Sequence, residues 1–188
     1  MATSQVASPA AAKTTIALLL TLMLAAAVPG SPAKADLAAA ARSVPSAELV
    51  GKGRMTYLGF KIFDAELYAP GGTYSASSPF ALKLTYLRNF EGKAIAESSV
   101  DEIRRQGGAS AGQLSRWGKQ MQAIFPNVTR GQSLTGVRAS NGSTVFYSGN
   151  RKLGTIADPA FTRKFFAIWL GSNTRNPQLR ARLTGTGS

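Results

Sequence analysis

Residues 133–171, SLTGVRASNGSTVFYSGNRKLGTIADPAFTRKFFAIWLG, decide how this chain folds. Three short runs rich in apolar and β-branched residues, 133–139, 143–148 and 151–156, are separated by Asn141-Gly142 and Gly149-Asn150. Asn-Gly is the strongest short-range hairpin signal, because both residues tolerate φ > 0. The three runs therefore read as an antiparallel meander. Directly after them the apolar period changes from 2 to 3.6. Asp158 can cap a helix, Pro159 suits its first position, and Gly171 lies just past its end. Phe161, Phe165, Ile168 and Trp169 form one face of that helix, broadened by Phe166 and Leu170, while Arg163 and Lys164 point outward.

Upstream, residues 50–58 and 60–69 read as two strands with Gly59 between them, and 80–87 as a third. In the third, Leu82, Leu84 and either Tyr86 or Leu87 alternate with Lys83 and Thr85. Residues 91–106 carry Ile95, Ser99 and Ile103 at helical spacing, and Gly107-Gly108 stops them. Residues 111–125 form a second helix with Leu114, Trp117, Met121, Ile124 and Phe125 in one stripe, closed by Pro126. Residues 177–183 add one or two turns. The order βββ-αα-βββ-α predicts an α+β fold with a largely antiparallel sheet and helices layered on one face.

The first 35 residues read differently. Lys13 precedes the uncharged run TTIALLLTLMLAAAV at 14–28; Pro29, Gly30 and Pro32 break it, and Ala33-Lys34-Ala35 has the A-x-A form of a cleavage site. This is the pattern of a secretory signal peptide cut after Ala35. It is shorter than the roughly 20 apolar residues of a membrane span. The expected organisation is a signal peptide at 1–35, a lead-in at 36–47 and one domain at 48–188, exported to a periplasm or secreted.

Composition excludes much chemistry. The 188 residues include no His and no Cys. No Ser-His-Asp or Cys-His system is available, nor a Cys/His zinc site, and neither metal nor cofactor is expected. At 44% hydrophobic and 16% charged, the chain has the composition of a globular domain. Lys and Arg number 22 against 9 Asp and Glu, a net charge of +13. Such a balance favours anionic partners, but the charges are spread in pairs such as Arg104-Arg105 and Arg163-Lys164. No aromatic-basic interleaving suggests nucleic acid. Contact with an anionic envelope surface remains a partner for the basic face.

Carboxylates are few. Asp64 and Glu66 share a strand face, a geometry open to acid-base work but equally that of a solvated face. Asp101 precedes Arg105 at i, i+4, the spacing of a surface ion pair. Gly51-Lys52-Gly53 is too short for a phosphate loop. Arg54 stands inside an otherwise apolar strand. Facing the helices, its guanidinium would be a bidentate carboxylate anchor; facing away, it would be solvated. The sequence leaves both open.

The segments GKGRMTYLGFKIFDAELYAP (51–70), PFALKLTYLRNFEGKAIAES (79–98), LSRWGKQMQAIFPNV (114–128), GQSLTGV (131–137) and GTIADPAFTRKFFAIWLGSNT (154–174) resemble the chalcone isomerase-like superfamily, in particular its small exported bacterial branch. The resemblance implies an open-faced β-sandwich with a pocket between sheet and helices. In the plant enzymes of that family the pocket closes a chalcone into a flavanone, with an Arg stabilising charge and a Tyr and a Thr organising a water; other members bind fatty acids. Arg54 matches the family Arg. The strand Thr falls at Phe63, the Tyr at Ile95, and the helix Ser/Thr position near Thr162. With both water-holding positions apolar, the resemblance implies a non-catalytic binder of a fatty acid or similar amphipathic carboxylate. Arg54 would hold the head group, and Phe63, Ile95, Phe161, Phe165 and Trp169 would line the tail. Each buried methylene is worth roughly 0.8 kcal/mol. An isomerase of the chalcone-flavanone type and a basic protein for envelope polyanions are the alternatives.

Overall fold

The computed structural model describes residues 42–186; the expected signal segment and the beginning of the lead-in lie outside the described residues. The elements are β1 (Ala47–Tyr57), β2 (Phe60–Pro70), β3 (Phe80–Tyr86), α1 (Gly92–Gln106), α2 (Ala111–Ile124), β4 (Ser133–Arg138), β5 (Thr144–Ser148), β6 (Arg151–Ile156), α3 (Pro159–Leu170) and α4 (Pro177–Thr184). All six strands join one sheet in sequence order, each antiparallel to its neighbours. This is the α+β layering that the element order implied.

Alternation decides what faces the helices. On β2, Phe63, Ala65, Leu67 and Ala69 are buried, while Asp64, Glu66 and Tyr68 between them are only partly so. The register sets Phe63 beside Tyr86, Ala65 beside Leu84 and Leu67 beside Leu82, so these side chains share the helix-facing side. Tyr86, not Leu87, completes the apolar series of β3. The other side carries Asp64, Glu66 and Lys83, with Val44, Ala81, Val137 and Tyr147 in a small apolar cluster. Lys83 is nearly buried there, its Nζ 3.5 Å from Glu66.

Under the helices the core is aromatic. Phe125, Phe146, Phe161 and Phe165 meet mostly edge to face, with the Phe161 and Phe165 rings stacked at 5.3 Å. Burying each such side chain stabilises by roughly 1.5–3 kcal/mol. Ser110 and Gln113 form a reciprocal capping box on α2. Asp158 caps α3 through the backbone N–H groups of Ala160 and Phe161. The α4 helix lies against β1, and Gly51 makes room for it: a Cβ there would fall 2.0 Å from the Arg182 carbonyl oxygen.

Two local expectations are revised. The Asn141-Gly142 hairpin forms between β4 and β5, but without both residues at positive φ. Strands β4 and β5 stop at Arg138 and Thr144, and Gly142 has φ +80° while Asn141 does not enter the left-handed region. The Asn141 side chain instead accepts from the Ser143 N–H and hydroxyl, and these local bonds hold a wider loop. A tight turn with both central residues at positive φ joins β1 to β2 at Leu58-Gly59, at +47° and +78°. On α1, Asp101 pairs with Arg104 and Glu102 with Arg105, at i, i+3, rather than Asp101 with Arg105.

Candidate functional site

Between the sheet and the helices lies an apolar cavity of about 250 Å³. Met55, Ile62 and Phe63 come from the β1–β2 hairpin, Leu84 and Tyr86 from β3, Ile95 and Ser99 from α1, and Ile168 and Trp169 from α3. Leu179 of α4 closes the wall. A smaller void of about 40 Å³, walled in part by Phe165, shares Leu84, Tyr86, Ile95, Ser99 and Trp169 with it. Antiparallel pleating puts the strand residues on this side; the 3.6 period of α1 and α3 brings Ile95, Ser99 and Trp169 opposite them.

One end is polar. Glu102, Thr174, Arg175 and Asn176 form it, from the end of α1 and the loop between α3 and α4. Arg175 Nε donates to Glu102 Oε2 at 2.7 Å. Arg105 Nε donates to the other oxygen of the same carboxylate at 2.8 Å, and its NH2 group reaches the Asn173 carbonyl at 2.6 Å. Two guanidiniums thus share one carboxylate. The Arg175 side chain is 64% exposed and Glu102 15%, so the free edge of Arg175 stays open to solvent and to the cavity. Asn176 caps α4 by accepting from the Leu179 N–H, and its amide N–H meets Met55 Sδ.

Inside the wall, Tyr86 is 4% exposed. Among the described residues its hydroxyl has no hydrogen-bonding partner, and burial pushes its pKa well above the ordinary phenolic value. It faces the cavity as a neutral donor.

The sequence-derived candidates separate. Phe63, Ile95 and Trp169 line the main cavity, and Phe165 lines the smaller void. Phe161 does not line either: it is fully buried between Trp117, Phe146 and Phe165. Thr162 is buried elsewhere, its hydroxyl 2.8 Å from that of Thr144, beside a separate cleft with Tyr74 and Arg138. Arg54 is the largest correction. It does not face the cavity. It pairs in register with Asp64 on the side of the sheet away from the helices, with Nε 2.5 Å and NH2 2.8 Å from the two carboxylate oxygens. Asp64 thereby takes the bidentate place that a ligand carboxylate would need. Sequence reasoning missed Arg175 because it sits in an aperiodic loop; the signal was its place directly before Asn176-Pro177, a helix start that ties the loop to the fold.

Comparison with known proteins places this architecture. A fatty-acid binding protein of Arabidopsis thaliana has a similar fold, with a TM-score of 0.58 at 12% identity, over 76% of this chain and 89% of that one. A search of curated protein sequences finds no match. Helices on one face of a six-stranded antiparallel sheet, with a cavity between the layers, accord with the sequence match: residues 44–185 fit the profile of the chalcone isomerase-like family, and the chain belongs to that family.

Proposed function

We propose that this protein is a non-catalytic carrier of a medium-chain fatty acid or a similar amphipathic carboxylate. The observation that carries the reading is the rim of the cavity: Arg105 and Arg175 share the one carboxylate of Glu102 among the described residues, beside an apolar wall. A second carboxylate would balance the pair of guanidiniums. The head group therefore belongs at Arg175, with the tail running inward past Ile95, Phe63 and Trp169. The Tyr86 hydroxyl, otherwise unpartnered, offers a donor to any polar atom that reaches it.

Size sets the class of tail. The cavity, at about 250 Å³, sits just below the usual range for ligand sites, roughly 300–1,000 Å³. At about 30 Å³ per methylene-sized unit, taking the share of a water molecule as the measure, it holds roughly eight carbons. A longer chain must extend into the small void or out of the mouth.

The absence of catalysis is part of the proposal. Phe63 and Ile95, which take the positions of the enzymes' Thr and Tyr, both stand on the cavity wall. Arg54 stands outside it. The ionisable side chains in the wall are Tyr86, Glu102 and Arg175, and Arg175 is already engaged by Glu102. We also propose that the protein acts outside the cytoplasm, on the strength of residues 1–35. Intact mass of the protein recovered from an exporting host should show a start at Asp36; retention of the leader would refute this.

The central test is titration with octanoate and decanoate, read by Trp169 fluorescence. Wild type should bind, and Arg175→Ala should weaken binding by roughly ten- to a hundredfold, as expected for a lost charged hydrogen bond of roughly 1.5–3 kcal/mol. Equal affinity in both would overturn the anchor.

A further inference from the structure

The end of the β1–β2 hairpin points three large apolar side chains into solvent: Tyr57 is 61% exposed, Leu58 79% and Phe60 58%. Leu58 is the anomaly. Its φ of +47° is a conformation suited to Gly, Asn or Asp. A Leu there is strained and, being so exposed, gains no compensating burial. Neither the backbone nor the core explains its presence, so the explanation lies outside the monomer.

Three observations identify what it meets. First, cations surround the tip. Lys61 follows Phe60 directly, and the Arg88 guanidinium lies 4.7 Å from the centre of the Phe60 ring. The Arg130 backbone N–H is held by the side chain of Asn89, the residue after Arg88. Second, acids are sparse: residues 55–63 and 87–90 contain none, Asp64 is engaged by Arg54, and Glu91 is the nearest other one along the chain. Third, the tip adjoins the cavity, since Met55 and Ile62, just inside it, are wall residues. Aromatic and aliphatic side chains ringed by Lys and Arg fit the interface of an anionic bilayer, where apolar groups enter the acyl boundary and cations meet headgroups. A second copy fits poorly. Three side chains are far less than a stable dimer interface requires, and like charges would face each other.

We propose that the Tyr57–Phe60 hairpin tip docks into the surface of an anionic lipid bilayer and brings the cavity to the membrane. Docking itself needs only the tip; that the cavity then exchanges a carboxylate with the bilayer rests on the function proposed above.

The test is co-sedimentation with phosphatidylglycerol/phosphatidylcholine vesicles and with pure phosphatidylcholine vesicles. Wild type and variants are compared in the same form, as recovered from the exporting host, so any contribution of residues 1–35 is common to all. Wild type should sediment with the anionic vesicles, less so at high salt. Leu58→Asn suits the positive φ and should melt no lower than wild type, yet bind anionic vesicles about tenfold more weakly, the effect of one lost aliphatic anchor. Phe60→Ser should do the same and guards against a local effect of Asn. Equal binding by wild type and both variants overturns the proposal. So does a wild-type dimer in sedimentation velocity that Leu58→Asn dissolves, which would assign the tip to a second copy. Octanoate affinity in the absence of vesicles separates the two readings. If Leu58→Asn keeps it while docking falls, docking stands by itself. If wild type docks but does not bind octanoate, the cavity reading fails and docking survives.

Discussion

Arg54 and Asp64 face each other across β1 and β2, joined by two hydrogen bonds on the side of the sheet away from the helices. This pair separates a residue's identity from its job. The guanidinium that the family resemblance marked for a ligand carboxylate already holds a carboxylate of its own. Asp64, by hydrogen bond and charge, raises the Arg54 pKa further. Both partners are well exposed, and exposed ion pairs contribute little to stability. Arg54→Ala should therefore leave the melting temperature and octanoate affinity nearly unchanged, while Arg175→Ala lowers affinity. Isothermal titration of the two variants side by side decides it; a loss of binding in Arg54→Ala would return the anchor to β1.

Why the sequence could not place Arg54 has a physical answer. Alternation on β2 is clean, so Phe63 and Leu67 identify the core side without coordinates. On β1 the alternation is blurred: its core-side positions are the small residues Gly51 and Gly53, and the pairing with β2 slips after Leu49 and after Met55. Small residues under a helix carry no apolar signal. The helix α3 was legible because its cap, its first-turn proline and its apolar stripe agree. The site was only half legible: Phe63, Ile95 and Trp169 sit on periodic elements, whereas Arg175, which completes the polar end, lies in a loop whose position depends on the packing of α3 and α4. Thr162 and Phe161 were on the right helix but at its N-terminal end, about two turns from the Ile168 and Trp169 that reach the cavity.

Cavity size makes its own prediction. Across saturated carboxylates from six to sixteen carbons, affinity should rise by up to roughly 0.8 kcal/mol per methylene while the tail still enters the wall, then flatten beyond about eight to ten carbons. Filling the space should weaken binding without unfolding the protein. Ile95 borders both the cavity and the smaller void, so Ile95→Phe should lower octanoate affinity about tenfold or more and leave the melting temperature equal or higher. A steady gain through sixteen carbons would mean that the cavity opens further on binding.

Tyr86→Phe tests the unpartnered hydroxyl. The hydroxyl lies on the cavity wall and bonds to no other described residue, so its removal should leave the stability of the ligand-free protein nearly unchanged. If a ligand's polar atom satisfies that hydroxyl, octanoate affinity should fall severalfold at the same time. Denaturant unfolding and titration on one variant read both quantities; a lower midpoint in the ligand-free protein would show that the hydroxyl already has a structural role.

Asp158 ties two helices together. Its Oδ2 accepts from Trp117 Nε1 on α2 at 2.9 Å, while Oδ1 accepts from the first N–H groups of α3. Partial burial pushes its pKa up, but the Trp117 bond, the two backbone N–H groups and the Arg116 charge outweigh it, and the net shift is downward from 3.8. A carboxyl with a depressed folded pKa adds stability above its unfolded pKa and loses it as pH falls through the folded value. Wild type should therefore lose stability below about pH 4 more steeply than Asp158→Asn, which keeps an acceptor at every pH. Asp158→Ala should lose the cap, about 1 kcal/mol, and leave the indole N–H unpaired, at a further cost of about 1–3 kcal/mol. Thermal melts between pH 3 and 7 would show parallel curves for wild type and Asp158→Asn if the carboxylate has no such role.

Gly51 and Gly53 couple the fold to the cavity through α4. A methyl group at Gly51 would meet backbone, the carbonyl oxygens of Arg182 at 2.0 Å and Leu183 at 2.7 Å. At Gly53 the nearest atom is the Leu179 Cδ1, also at 2.7 Å, which can rotate away. Gly51→Ala can be accommodated only by moving the helix off the strand, a cost of about 1–3 kcal/mol for overpacking, whereas Gly53→Ala should be milder in stability. Leu179 is itself a wall residue of the cavity. Both variants should therefore weaken octanoate binding, Gly51→Ala by displacing the helix and Gly53→Ala by reorienting one side chain, with Gly51→Ala alone showing a markedly lower midpoint in urea. Equal loss of stability in both would mean that β1 itself, and not its contact with α4, is what the glycines protect.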